Sequence, residues 1–509
     1  MATGLGVRGN GPREQSFIDE STGKHVIRMG NLDFPPRKVW MKTFGCQMNY
    51  HDSERILSHL TDLNFQQTEE LEQADLVLFN TCAIRDLANN KFYSQLGKIK
   101  VLKKAKGDNL IIGVGGCIAQ TDGKELIKRY KHLDFAFGTD VIDCINDMVY
   151  RTYAGDSKFT VNSWDRSENF SIETKITHGN PQAFVNIIKG CNKYCSYCVV
   201  PYTRGRERSR PLQEVVTDVK RLVEYQGIQE VMLLGQNVNS YGHDNGDTLA
   251  QLLTELDQIN GLELIRYTTS HPYDVSDDLI AIHGSAKKLS KHLHLPVQSG
   301  SNSVLERMLR EYTIEHYMGL VDKLRKAQPE IVLSTDIIVG FVNETEDEFQ
   351  ATMKLLDWAQ FDFIYAYVYS KRNKTRAAGM TDELTDAIRG ERLRLLQKHQ
   401  LGIQENTRAT MLGKRFRMLV EGHGAMGGIK KWKGRTDCNR IVHFLPDNDT
   451  QDFQWHWVDV EVTSTTSLSC QGRLLADHGK YLTPPSAKMQ AIMANIQSSG
   501  MQAGTNLLQ

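Results

Sequence analysis

Short apolar runs alternate with longer amphipathic stretches along most of this chain, a rhythm that predicts α/β architecture with parallel sheets. Between Lys38 and about Tyr153 the runs VWMKTF, DLVLFN and LIIGVG are each followed by a helical stretch, and DFAFG reads as a fourth strand. The region 37–155 is therefore expected to form a Rossmann-like open parallel sheet. From Ala183 a second series begins, with strands AFVNIIK, EVMLLG, LELIRYTT, KHLHLPV, VLSTDIIVG and DFIYAYVY. Between them lie helical stretches such as PLQEVVTDVKRLVEYQ, LAQLLTELDQI, SVLERMLR and EDEFQATMKLLDWA. Repeated strand-then-helix units predict an incomplete (βα)6 TIM-like barrel over 177–407, with its chemistry on the loops after the strands. Near Met411 the texture changes to RFRMLVEG, GRTDCNRIVHFL, DFQWHWVDVEVTST and GRLLAD, short strands that predict a small β-barrel over 410–476. The flanks 1–36 and 477–509 read as a disordered extension and a flexible tail, with KMQAIMANI as a short candidate helix.

Composition bounds the partners more than the fold. The 61 Lys and Arg residues balance the 61 Asp and Glu residues, so an anionic partner has to be met by a local basic patch. No run of apolar residues is long enough for a membrane span. The N-terminal segment lacks an apolar signal core and carries acidic residues, which argues against a targeting peptide. Nine cysteines is an odd number whose spacings do not pair off as a disulfide framework. A reducing, cytoplasmic setting and a monomeric protein are expected.

Six of the nine cysteines form two triads. Cys191, Cys195 and Cys198 make a tight CxxxCxxC directly after AFVNIIK. Three thiolates on one loop can hold three irons of a four-iron cluster and leave the fourth open to a small ligand. Zinc is the alternative, but a closed zinc site takes four ligands, and no fourth Cys or His follows within short reach of Cys198. Cys46, Cys82 and Cys117 are dispersed, 36 and 35 positions apart, yet each falls just beyond a predicted strand. Ligands of open α/β sheets bind outside the carboxyl ends of the strands, so these three are expected to converge on a second cluster with one open iron. Cys144, Cys438 and Cys470 have no such spacing and read as structural.

Other polar loops fall on the same predicted rim. GQNVNSYG, TSHPYD and PVQSGSN follow the second, third and fourth barrel strands and mix glycine with amides and hydroxyls suited to a ribose, carboxylate or base edge. Two basic elements are candidate RNA contacts: Arg204, Arg206 and Arg208 after the tight triad, and Lys431, Lys433, Arg435 and Arg440 around Trp432, which pairs phosphate charge with a stackable ring.

The strings TFGCQMN, NTCAIR and GGCIAQ resemble the N-terminal domain of the methylthiotransferases. GCNKYCSYCVVPYTRGRERSRP, LLGQNVNSYG, HPYD, LPVQSGS and DIIVGF resemble their radical S-adenosylmethionine (SAM) domain, and the last segment resembles a TRAM domain. Within that family GRERSR and GRTDCNR resemble the MiaB type. The resemblance implies two [4Fe-4S] clusters, one on Cys191, Cys195 and Cys198 that reductively cleaves SAM, and an auxiliary one on Cys46, Cys82 and Cys117 that carries sulfur. Tyr197, Gln236, Asn237, Gln298, Ser299, Asp336 and Gly340 are the corresponding candidates for SAM binding. The implied substrate is a prenylated adenosine in a tRNA anticodon stem-loop, with an electron donor and a sulfur source as further partners. Adenine C2 has no acidic proton or leaving group, so a radical route suits the reaction. Related substrates would be threonylcarbamoyladenosine in tRNA or a ribosomal-protein aspartate; a different class would be a metal-stabilised RNA-binding protein. The chain departs from the family at Val342 and Asn343, and at Arg372, Asn373, Lys374 and Thr375, where asparagine is expected to preserve left-handed turns.

Overall fold

The computed structural model describes residues 14–19, 24–29, 32–84, 86–164, 174, 180–426, 428–446 and 451–479. The candidate helix KMQAIMANI lies outside them. The chain divides into two compact units: Met1–Asn169 with Lys175–Thr177 and Val199–Arg206, and Phe170–Thr174 with His178–Cys198 and Glu207–Gln509.

In the first unit, six strands pair in the order Phe65–Gln67, Arg37–Thr43, Leu76–Thr81, Ile111–Gly116, Phe135–Phe137 and Phe159–Val161. All five pairings are parallel. Strands Leu76–Thr81 and Ile111–Gly116 are buried throughout, the behaviour of central strands covered on both faces. Helices Gln47–Asp62 and Ile145–Tyr153 supply Ile56, Leu60, Ile145 and Met148 to one core. Helices Asp86–Lys106 and Cys117–Arg129 supply Phe92, Leu96, Leu126 and Ile127 to the other. The expected open parallel sheet is present, with two three-residue edge strands too short to leave a periodic signal. Within the expected disordered extension, Glu14–Asp19, Lys24–Met29 and Leu32–Phe34 instead pair as an antiparallel meander. Met29 and Phe34 join the first core, an apolar anchorage that the Gly-rich composition hides.

In the second unit, Gln182–Asn186, Glu230–Leu234 and Leu264–Tyr267 form one parallel set, and His292–His294, Val332–Val339 and Phe363–Val368 another. A parallel bridge between Ile265 and Leu289 joins the sets, so all six predicted strands follow one another in chain order. Helices Leu249–Asp257 and Glu346–Ala359 each start with a capping box, on Thr248 and Thr345.

The C-terminal strands Arg415–Met426, Ile429–Thr436, Ile441–Phe444, Trp457–Thr465 and Cys470–Asp477 close into a barrel. Its core contains Met418, Val420, Trp432, Val442, Phe444, Val458 and Cys470. Asp362, at the foot of the last parallel strand, is buried between Arg408, at 2.5 Å, and Arg440, whose Nε is 2.8 Å away. Three ions out of water hold together only as a set, so this triad ties the closed barrel to the strands beneath it.

Candidate cofactor sites at two cysteine triads

Cys46, Cys82 and Cys117 follow strands Arg37–Thr43, Leu76–Thr81 and Ile111–Gly116 at their carboxyl ends. Register places Thr43 opposite Asn80, and Thr81 opposite Gly116, so the three cysteine-bearing ends are neighbours in the sheet. Backbone closeness demands glycine at two points. Gly45 has φ +122°, and a Cβ there would lie 2.7 Å from Cys82 Cβ; Gly116 has φ +91°, and a Cβ would lie 2.4 Å from the Thr81 carbonyl. Cys46 caps helix Gln47–Asp62 and Cys117 opens helix Cys117–Arg129.

Asn49 organises the surroundings. Its Oδ1 lies 3.4 Å from Cys46 Sγ and 3.4 Å from Arg204 Nη2. Its Nδ2 donates to the Thr81 carbonyl at 2.9 Å, while Asn80 Nδ2 donates back to the Asn49 carbonyl at 2.8 Å. Asn80 was visible in the sequence as an amide inside an apolar strand; nothing there marked Asn49 or Asp52. Arg204 was expected to meet RNA, and the structure corrects this: its side chain is 4% exposed and its Nη1 lies 2.6 Å from Asp52 Oδ2. Burial opposes its charge, but Asp52, and after it Cys117 and Cys46, more than restore it.

The tight triad sits on the loop after strand Gln182–Asn186 and a two-residue strand, Ile188–Lys189. Ser196 pins the loop by accepting from Ala377 N at 2.7 Å and donating from its own N to the Met308 carbonyl at 2.9 Å. Lys193 anchors it to Asp274 at 2.7 Å. Arg310, which no sequence signal separated from other arginines, is buried with Nη1 3.3 Å from Cys195 Sγ and Nη2 donating to the Pro296 carbonyl at 2.9 Å. Burial, with Cys195 and Glu207 nearby, pushes the Cys191 thiol up to about 12. A bound cation such as iron reverses that preference and holds the thiolate.

The donor sets fit iron–sulfur clusters. None of the nine cysteines is in a disulfide. Among the described residues no three Cys, His, Asp or Glu side chains converge as on a single metal ion. A cluster takes one thiolate per iron, so its ligands stand a cluster's width apart.

The other expected SAM-domain residues divide. Tyr197 stays beside the triad, its hydroxyl 3.5 Å from Arg310 Nη1 and its ring edge-on to Phe341. Asp336 remains partly exposed, 3.5 Å from His294. Gln236, Asn237, Gln298, Ser299 and Gly340 are used internally. Gln236 Oε1 accepts from Gly190 N at 2.5 Å and so braces the cysteine loop, and Asn237 Nδ2 donates to Asp274 at 2.7 Å. Gln298 exchanges backbone bonds with Asp336 and Ile338, Ser299 packs its hydroxyl 3.3 Å from Thr352, and Gly340 N donates to Glu344 at 2.8 Å. Asn343 does adopt φ +53°; in the second departure Lys374, at +72°, takes the left-handed place instead of Asn373.

The basic run lies in the C-terminal barrel. Ile429–Thr436 is a barrel strand, and Trp432 is buried against His423 and Phe453 rather than presented for stacking. Lys431 Nζ bonds Gln471 at 2.9 Å, Arg435 Nε bonds Glu421 at 2.9 Å, and Lys433 lies 4.0 Å from the same carboxylate. Arg440 is committed to Asp362. Arg206 is exposed and Arg208 half-buried. A cleft lined by His292, Val332, Asp362, Phe363 and Cys438 lies at the amino ends of the strands, the end away from the cysteine loop. Topology therefore sets it apart from the chemistry.

Comparison with known proteins places these features. Residues 38–138 match the model described as uncharacterized protein family UPF0004, and residues 185–356 match the radical SAM superfamily. A radical SAM methyltransferase from Kitasatospora setae, solved with cobalamin and a [4Fe-4S] cluster, aligns with TM-score 0.50 at 14% identity, over 67% of this chain and 77% of its own, a likeness of fold. A tRNA-2-methylthio-N(6)-dimethylallyladenosine synthase of Thermoanaerobacter sp. (strain X514) is 42% identical over 86% of this chain and 92% of its own length. The synthase of the same name from Acetivibrio thermocellus is 40% identical over 91% of this chain and 96% of its own. The chain belongs to this family of radical SAM tRNA methylthiotransferases.

Proposed function

We propose that the protein converts N6-(dimethylallyl)adenosine, just 3′ of the tRNA anticodon, to its 2-methylthio derivative. The observation that carries the reading is the pair of triads, one on a single loop and one at three neighbouring strand ends, each outside any disulfide and each with a buried arginine nearby. Cys191, Cys195 and Cys198 would hold one [4Fe-4S] cluster, and Cys46, Cys82 and Cys117 the other. When bound, these groups with SAM supply hydrogen removal from adenine C2, sulfur insertion and methyl transfer.

The chain's own residues hold and shape the site. Lys193 and Ser196 fix the cysteine loop, and Gln236 holds its Gly190 hinge. Tyr197, Gln236, Asn237, Gln298, Ser299, Asp336 and Gly340 are the candidates to bind SAM. Tyr194 and Tyr273 are exposed on loops after barrel strands, and Lys193 Nζ lies 4.2 Å from the Tyr273 ring centroid. Such rings suit an unstacked anticodon-loop base, with Arg206 available to phosphate. No described helix is long and apolar enough to cross a membrane. The reading includes a cytoplasmic monomer that draws electrons and sulfur from outside donors.

The test is nucleoside mass spectrometry of prenylated tRNA incubated anaerobically with reconstituted protein, SAM and a reductant. The 2-methylthio nucleoside is the expected product; unchanged tRNA from protein loaded with both clusters would overturn the reading.

A further inference from the structure

We propose that Arg204 is a positioning residue for the cluster held by Cys46, Cys82 and Cys117, setting its reduction potential through a buried ion pair with Asp52. The inference rests on the assignment of that cluster above. Three observations carry it. Arg204 is enclosed and ion-paired to an equally enclosed carboxylate, both side chains 4% exposed. Its guanidinium shares Asn49 Oδ1 with Cys46 Sγ, so a single amide separates the cation from a ligand sulfur. The helix that carries it, Val200–Arg204, packs in the first unit, where Thr139 Oγ1 donates to the Thr203 carbonyl at 2.6 Å.

A guanidinium keeps its charge in any protein environment, and burial weakens the screening of that charge. Reduction adds one negative charge to a cluster, so a fixed cation nearby favours the reduced form and a fixed anion disfavours it. The two members of the pair therefore pull the potential in opposite directions. A residue needed only for folding would not produce that sign reversal. Solvation of an anionic substrate is also excluded as its role, because the side chain does not reach solvent.

The experiment uses full-length protein carrying Cys191→Ala, Cys195→Ala and Cys198→Ala, so that only the dispersed triad can bind a cluster. Iron content and the midpoint potential, followed by electron paramagnetic resonance during a reductive titration, are read together. About four irons per chain are expected. Arg204→Gln should move the potential to more negative values, Asp52→Asn to more positive values, and Arg204→Lys should stay nearer the parent. If Arg204→Gln does not fold, Asp52→Asn carries the test: a positive shift supports the proposal, and an unchanged or negative shift with iron retained overturns it. Unchanged potentials with iron retained, or shifts of one sign for Arg204→Gln and Asp52→Asn, would overturn the proposal. A parent triple variant without iron would overturn the ligand assignment and the proposal with it.

Discussion

The triad of Cys191, Cys195 and Cys198 lies on one loop, whereas Cys46, Cys82 and Cys117 become neighbours only when three parallel strands align in register. The first arrangement depends on local pins, Lys193 to Asp274 and Ser196 to Met308. The second depends on the whole sheet and on two glycines that let backbones touch. Both nevertheless place a buried arginine near a ligand sulfur, Arg310 by Cys195 and Arg204 by way of Asn49 to Cys46. Arg310 lies directly against a cysteine sulfur, whereas Arg204 is paired with Asp52 and reaches Cys46 only through Asn49. The different routes imply that the dispersed site should fail whenever the fold loosens, and the loop site should not.

The largest effect comes from removing a ligand. Cys46→Ala and Cys195→Ala should each lower methylthio product by more than about a hundredfold, beyond what losing an outer partner of a metal ligand costs. Single-turnover nucleoside analysis checks it, and substantial product from either variant would remove that triad from the reaction. Next is Gly116→Ala, which forces a Cβ against the Thr81 carbonyl at a left-handed φ. It should destabilise the first unit by about 2–4 kcal/mol in denaturant unfolding and release iron from the dispersed triad while the loop triad keeps its own.

Arg310→Met sharpens the comparison from the other side. It leaves the Pro296 carbonyl without its guanidinium donor and should cost about 1–3 kcal/mol, measured by thermal unfolding, with iron at the dispersed triad retained. A further effect is a pH dependence on the helix that Cys46 caps. Burial raises Glu54 to about 7 from an ordinary 4.5, so the folded state binds its proton more tightly than the unfolded chain does. Its contribution is complete below 4.5, is lost as pH rises towards 7 and is level above that. Glu54→Gln should flatten this decline in the first unit's stability; an identical pH profile would contradict it.

Much of this was readable along the chain because parallel strands buried on both faces are continuous apolar runs, and cysteines at their ends are easy to place. Position at a strand end was enough to group Cys46, Cys82 and Cys117 without any local spacing. Charge is harder to place from sequence. Lys431, Arg435 and Arg440 read there as candidate RNA contacts, and a barrel strand and the Asp362 pocket turn them towards Gln471, Glu421 and Asp362. The roles of Asn49, Asp52 and Arg204 were hidden for a related reason. Apart from the contact of Asn49 with Cys46, their partners are 31 to 155 positions away, and no periodicity reports a contact of that range. The strands Glu14–Asp19, Lys24–Met29 and Leu32–Phe34 were hidden by glycine content, although Met29 and Phe34 join the core.

The account's central claim is that each triad holds its own cluster. Iron and acid-labile sulfide analysis of anaerobically purified protein tests it, with Cys195→Ala and Cys46→Ala measured in parallel. About eight irons are expected in the parent and about four in each variant. Equal iron in parent and variant, or loss of all iron from one substitution, would contradict two independent clusters.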